Sequence, residues 1–305
     1  TVEGAAIGVS QHTTNLPTSV TIKKGTFRGA YSIWEKDVQD EIARDVITLS
    51  VENGTFNGSV YSQNNASFIK GGTFSDAPAQ DYLAEGYASV TASANPLTYK
   101  VVPVENPGED GEALEVKLKN TSGKVYEIAS ELSINTSVGS KKNNTLYISK
   151  TGGVIPSESF RKDVSESFIV TAGTLTFDGQ GTIQGPSGST YGNGSQAIFV
   201  QGGKINIYGN LTIDGGSGSV ANRALKITDG TANIYSGYFH AGLDKNGRSS
   251  ELIFLYPNWR KYAYCNIYGG VFEIDGDPAF LLNIKDSERA RATFKVYGGT
   301  FVGFN

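Results

Sequence analysis

Apolar residues recur along the second half of the chain in two columns that keep step with each other. Val170, Val200, Ile227, Leu255 and Ile284 are separated by 30, 27, 28 and 29 residues. Phe168, Ile198, Leu225, Ile253 and Leu282 step in the same way two positions earlier. Residues two apart lie on one face of a strand, so both columns belong to one short strand repeated five times. A period between 20 and 50 residues is the signature of a stacked-repeat architecture. A repeat this short cannot bury its own apolar side, and stacking the repeats is what encloses a core.

Two further columns complete the unit. The segments "INIYGNLTIDG", "ANIYSGYFHAG", "CNIYGGVFEIDG" and "FKVYGGTFVGFN" share an apolar residue, a Tyr, a Gly-rich turn and a second apolar residue. Their anchors are Ile207, Ile234, Ile267 and Val296, with Phe177 one repeat earlier, and the next apolar column is Ile183, Ile213, Phe239, Phe272 and Phe301. The offset from the Val170 column to the Phe177 column is 7, 7, 7, 12 and 12, so two coils carry five extra residues at one corner. The expected fold is all-β: a right-handed parallel β-helix solenoid with three short strands per coil and about 27–30 residues per coil. Alternation along the strand sends Tyr208, Tyr235, Tyr268 and Tyr297 outward as a ladder. It also places Cys265 inward, in line with Leu175, Ile205 and Ala232, as a buried filler and not a reactive thiol.

The first part of the chain carries the theme in "VTIKKGTF", "LSVENGTF" and "FIKGGTF", with Phe27, Phe56 and Phe74 separated by 29 and 18 residues. "IWEKDVQDEIARDVI", from Ile33 to Ile47, is rich in helix formers without Gly or Pro and is expected to be a helix protruding from a turn. From Asp76 to about Gly111 the pattern lapses; Pro78, Pro96, Pro103 and Pro107 appear, and "NPGEDGE" reads as a solvated connection. "LTYKVVPVE" is a candidate strand closing the first stack, and "VYEIASELSI" and "NTLYISKTGGVI" begin the second. The expected organisation is an amino-terminal β-helix module with an irregular cap over 1–105, a connection over 106–124 and a carboxy-terminal β-helix module over 125–305. Solenoid ends expose strand edges, so flanking domains or further copies of the chain are expected to cap them.

Composition agrees with this and narrows the partners. Gly contributes 38 of 305 residues, Tyr and Phe together 31, and Met none, which suits short strands and tight turns. The formal net charge is −4 with 18% charged residues, so no strong field favours nucleic acid. No apolar run approaches the roughly 18 residues of a spanning helix, and no leader pattern is visible at Thr1, so membrane insertion is not expected. One cysteine excludes an internal disulfide.

Two constellations carry candidate chemistry. Immediately after the inward residues of the third column come Gln184, Asp214, His240 and Glu273, pointing outward on four successive coils. Asp214 and Glu273, with backbones about 10 Å apart and His240 between them, fit the acid and base of inverting glycoside cleavage. As plain solvated strand ends they need no such role. The second constellation is the pair of corner insertions, "YPNWRKYA" from Tyr256 and "KDSERARA" from Lys285, which share one corner on adjacent coils and form a raised lip. Tyr256, Trp259 and Tyr262 offer aromatic faces for a glycan, while Arg260, Lys261, Arg289 and Arg291 offer donors for hydroxyls or acidic sugar substituents. The competing expectation is that Trp259 covers the adjacent coil and the basic groups pair with Asp286 and Glu288. His12 stands alone. Asn-x-Ser/Thr triplets at Asn53, Asn57 and Asn210 matter only in a glycosylating host. "GNGSQ" and "DGGSGS" lack a full phosphate-loop pattern, and no cofactor or metal is expected.

At "GGTFSDAPAQDYLAEGY" and "KVYGGTFVGFN" the chain resembles repeat-rich surface proteins of gut bacteria and the fibre or spike proteins of their phages, built on the pectate-lyase-like β-helix. That resemblance implies an extracellular, cell-surface or virion location and a partner that is a glycan or a surface protein. The function expected is a noncatalytic surface or fibre protein presenting a rigid β-helix for attachment. The alternative is a polysaccharide-cleaving hydrolase or lyase acting through Asp214, His240 and Glu273. The calcium-binding carboxylates and catalytic basic residue of pectate lyases do not match position by position.

Overall fold

The computed structural model describes residues 4–11, 16–37, 47–106, 111–128, 137–138, 143–148, 154–156, 166–190, 192, 194–276 and 280–303. The chain is a parallel β-solenoid of about eight coils, divided into two compact units, 1–104 and 105–305.

In the first unit Ala5–Val9, Thr26–Glu35, Thr55–Ser62 and Gly72–Phe74 stack in parallel, and Thr18–Ile22 pairs with Ile47–Val51. The Gly-Thr-Phe motif explains the register. Phe27, Phe56 and Phe74 pair directly, and their rings stack with centroids 5.3 and 4.7 Å apart. The glycine two residues before each ring is where the chain turns onto the sheet. Gly54 has φ +145° and its missing Cβ would lie 3.0 Å from the Phe56 ring, so only glycine fits. Leu97–Pro103 does pair with the last strand, but antiparallel, and folds back on Tyr87–Ala94. That reversal ends the parallel stack of this unit.

The helix expected from Ile33 is not there at its start: Ile33–Glu35 is the end of a strand, paired with Val60–Ser62. The local composition favours a helix, but Ile33 is wholly buried, and the Glu35 carboxylate is held by the next coil. Glu35 accepts from the Ser62 hydroxyl at 2.7 Å, the backbone N–H groups of Gln63 and Asn64 at 3.1 and 3.0 Å, and the Asn64 amide at 3.1 Å. A buried carboxylate so supplied with donors rewards the extended conformation over local propensity. Residues 38–46, the rest of the expected helix, and His12 lie outside the described residues.

In the second unit three parallel sheets run along the coils. The first contains Glu166–Val170, Ser195–Val200, Asn222–Ile227, Glu251–Leu255 and Phe280–Ile284. The second contains Val125–Ile128, Asn143–Ile148, Lys204–Ile207, Gly230–Ile234, Ala263–Ile267 and Ala292–Val296; the third, Asn210–Asp214, Tyr238–Ala241, Val271–Ile274 and Thr300–Val302. The long strand Thr174–Gln184 belongs to both of the last two. Every repeat column pairs in register: Val170 with Val200, Ile227, Leu255 and Ile284, and Ile183 with Ile213, Phe239, Phe272 and Phe301. These side chains form one continuous core with Cys265, whose thiol is driven upward in pKa by complete burial and stays protonated.

The segment expected as a solvated connection holds a helix, Gly111–Asn120. Its Leu114 and Leu118, one turn apart, are wholly buried in the core of the second unit. The Asn144 amide donates to the carbonyls of Leu118 and Thr121 at 2.9 and 3.2 Å, satisfying groups at the helix end that have no partner within the helix.

The outer face of the second sheet carries two ladders. Tyr208, Tyr235, Tyr268 and Tyr297 stack with centroids 4.5, 4.8 and 5.0 Å apart and planes within 6°. Beside them Asn266 donates to Asn233, and Asn233 to Asn206, each at 2.9 Å. The coil repeat sets both spacings.

Candidate functional site

The corner lip arises where two coils carry extra residues between the first and second sheets. In the first of these coils the chain leaves the strand at Leu255 and re-enters at Ala263. Between them the Asn258 carbonyl accepts from the Lys261 N–H at 2.9 Å, closing a β-turn with Trp259 and Arg260 as its central residues. Arg260 has φ +62°, at a position where such turns usually hold Gly or Asn. The turn projects its side chains: Trp259 is 74% exposed and Tyr262 52%. The Arg260 guanidinium lies 4.0 Å over the indole.

The next coil supplies the brace. Its insertion is a short 3₁₀ helix, Asp286–Arg291. Arg291 is hydrogen-bonded to Glu288 within that helix and donates to the Asn258 carbonyl at 3.2 Å. From the preceding coil the Thr228 carbonyl accepts from the Asn258 N–H at 3.0 Å, and Asp229 pairs with Lys261 at 2.9 Å. The turn is therefore tied to the coils on either side of it.

These contacts sort the sequence-derived residues. Trp259, Arg260, Tyr262 and Arg289 face solvent. Arg291 is half-buried and spent on the brace. Tyr256 is half-buried beneath Lys285, whose ammonium lies 3.7 Å over its ring and donates to its hydroxyl, so that face is occupied. Trp259 does not cover the adjacent coil. Lys285 and the Asn258 carbonyl were not recognised from sequence, because their roles depend on neighbours about 30 residues away.

The outward column of the third sheet forms as the spacing requires, with Gln184, Asp214, His240 and Glu273 paired coil to coil. Its side chains are engaged with one another. His240 sits between two carboxylates, Nδ1 being 3.5 Å from Asp214 and Nε2 3.4 Å from Asp275. Asp214 also accepts from the Gly216 N–H at 2.9 Å. Glu273 accepts from the Tyr238 hydroxyl at 2.7 Å. That hydrogen bond first, then burial and the surrounding carboxylates, push the Tyr238 phenol up to about 12. Tyr238 and Asp275 were missed, although each lies two residues from a residue of the column and so on its face. Among the described residues no three His, Cys, Asp or Glu side chains converge to hold a metal ion. No described helix is long and apolar enough to cross a membrane.

Fold and surface together define a parallel β-solenoid with a braced aromatic and basic lip at one corner. Comparison with known protein families, with curated proteins and with solved structures found no match.

Proposed function

We propose that this chain is a noncatalytic attachment module, a pectate-lyase-like β-helix that presents the corner lip to a glycan on a cell or virion surface. The observation that carries the reading is Trp259, an indole 74% exposed on a turn tied to both neighbouring coils. An exposed indole held in place meets a sugar ring without the ordering cost of a flexible loop. A partner protein on such a surface is recognised by the same aromatic anchor.

The cleavage alternative has less support. Asp214 and Glu273 sit two coil steps apart, about 10 Å along the stack, and each already has hydrogen-bond partners within the chain. A broad glycan array with the whole chain, together with capture of neighbouring proteins from a surface extract, tests the attachment reading. Trp259→Ala is expected to weaken the captured complex by on the order of 1 kcal/mol or more and to leave the circular dichroism of the coils unchanged. Turnover of a polysaccharide without durable binding, lost in Asp214→Asn or Glu273→Gln, would overturn it.

A further inference from the structure

The lip has an electrostatic character that goes further than attachment alone. The lip carries Arg260, Lys261, Lys285, Arg289 and Arg291, of which Arg260, Lys261 and Arg289 are exposed, in a chain whose formal net charge is −4. Lys261 and Arg291 have carboxylate partners, Asp229 and Glu288. Among the described residues Arg260, Lys285 and Arg289 have none. Lys285 is held on Tyr256, which leaves Arg260, lying over Trp259, and Arg289 as the exposed guanidinium groups of the lip with no carboxylate partner among the described residues. The same 3₁₀ helix that carries Arg289 also carries the exposed Asp286.

Guanidinium and ammonium groups donate hydrogen bonds and accept none. A neutral sugar hydroxyl both donates and accepts, whereas a carboxylate only accepts, and its bonds to a guanidinium are about twice as strong as neutral ones. The backbone of Arg260 points the same way. Its left-handed conformation is uncommon outside Gly, Asn and Asp, and it places the guanidinium against one face of Trp259. Strain at an exposed, braced turn is typical of a site whose geometry is used.

Resting on the attachment reading, we propose that the lip selects carboxylate-bearing saccharides, with the sugar ring against the open face of Trp259 and its carboxylate on Arg260. Arg289 supplies the longer-range positive field.

The test uses the whole chain and a panel of uronic-acid and nonulosonic-acid oligosaccharides, each paired with its carboxyl-reduced form. The acid form is expected to bind about tenfold more tightly at low salt, and the preference is expected to shrink as ionic strength rises. Arg260→Gln should remove most of the preference, Arg260→Gly should do the same while relieving the turn, and Trp259→Ala should weaken both forms. Unchanged circular dichroism identifies variants that have kept the fold. Equal binding of both forms, lost in Trp259→Ala, overturns this proposal and leaves the attachment reading standing. Binding of dextran sulfate or single-stranded DNA as tightly as the acid saccharides also overturns it, since that is charge without sugar recognition. Failure of every saccharide to bind defeats the attachment reading itself.

Discussion

Replacing Phe272 with alanine tests how the core of the second unit is held together. Phe272 is wholly buried between Phe239 and Phe301, with ring centroids 5.0 and 4.9 Å away and planes inclined by 17° and 15°. Truncating a buried Phe costs about 3–5 kcal/mol through lost transfer energy and the cavity left behind. Two ring partners place Phe272 toward the upper end, about 4–5 kcal/mol. Phe301 is half-buried with one ring partner, so its truncation should cost about half as much, roughly 2 kcal/mol. Phe272→Leu separates the components, because it keeps most of the burial and loses both stacks, at about 1–2 kcal/mol. Urea unfolding followed by far-ultraviolet circular dichroism reads the order of the three variants, with the slope checked for constancy. Hydrogen exchange of the amides in Val271–Ile274 and its neighbours shows whether the loss is confined to adjacent coils, as nearest-neighbour stability requires. Equal costs for Phe272→Ala and Phe301→Ala, or a Phe272→Ala cost below about 2 kcal/mol, would refute the stacking account.

Two further expectations follow from the ladders and the polar column. Asn233 donates to Asn206 and accepts from Asn266, so Asn233→Ala should cost about 1–2 kcal/mol in the same unfolding assay; a neutral result would mean the ladder adds nothing beyond the backbone pairing. The Tyr238 phenol is raised to about 12, so its contribution is fully present below the ordinary tyrosine value near 10 and lost as pH rises through about 12. The difference between the phenolate absorbance titrations of the parent and Tyr238→Phe should have its midpoint near that upper value, and a midpoint near 10 would show that the bond to Glu273 does not persist in solution.

The coils were legible because parallel in-register stacking makes residues of one type recur at nearly constant spacing. Val170 to Ile284 and Ile183 to Phe301 are both spatial columns and sequence columns. The ends and corners were less so. Leu114 and Leu118 carry a helical spacing, but their segment follows Pro107 and Gly108 and belongs to no repeat. Ile33–Glu35 misled because the donors that hold Glu35 extended come from Ser62 to Asn64, on another coil. At the lip, the residue types announced aromatic and basic character. They did not announce that Arg291 would brace the turn while Arg260 lay over Trp259, since the brace depends on Asn258, a coil away, and on Glu288. At the polar column Tyr238 and Asp275 were missed, although the two-residue period of a strand puts them on the face of His240 and Glu273.

The five extra residues at the lip also bear on how such a chain tolerates change in length. Tyr264 still pairs with Thr231, and Phe272 with Phe239, as if nothing had been added one corner earlier. A single residue gained or lost inside a strand would turn each remaining position in that strand to the opposite side, breaking the aromatic, amide and aliphatic columns together. The same change at a corner is absorbed there. The sequence is thus divided into stretches where length is counted and stretches where it is free, and new surface chemistry can be written into the free stretches without rewriting the frame.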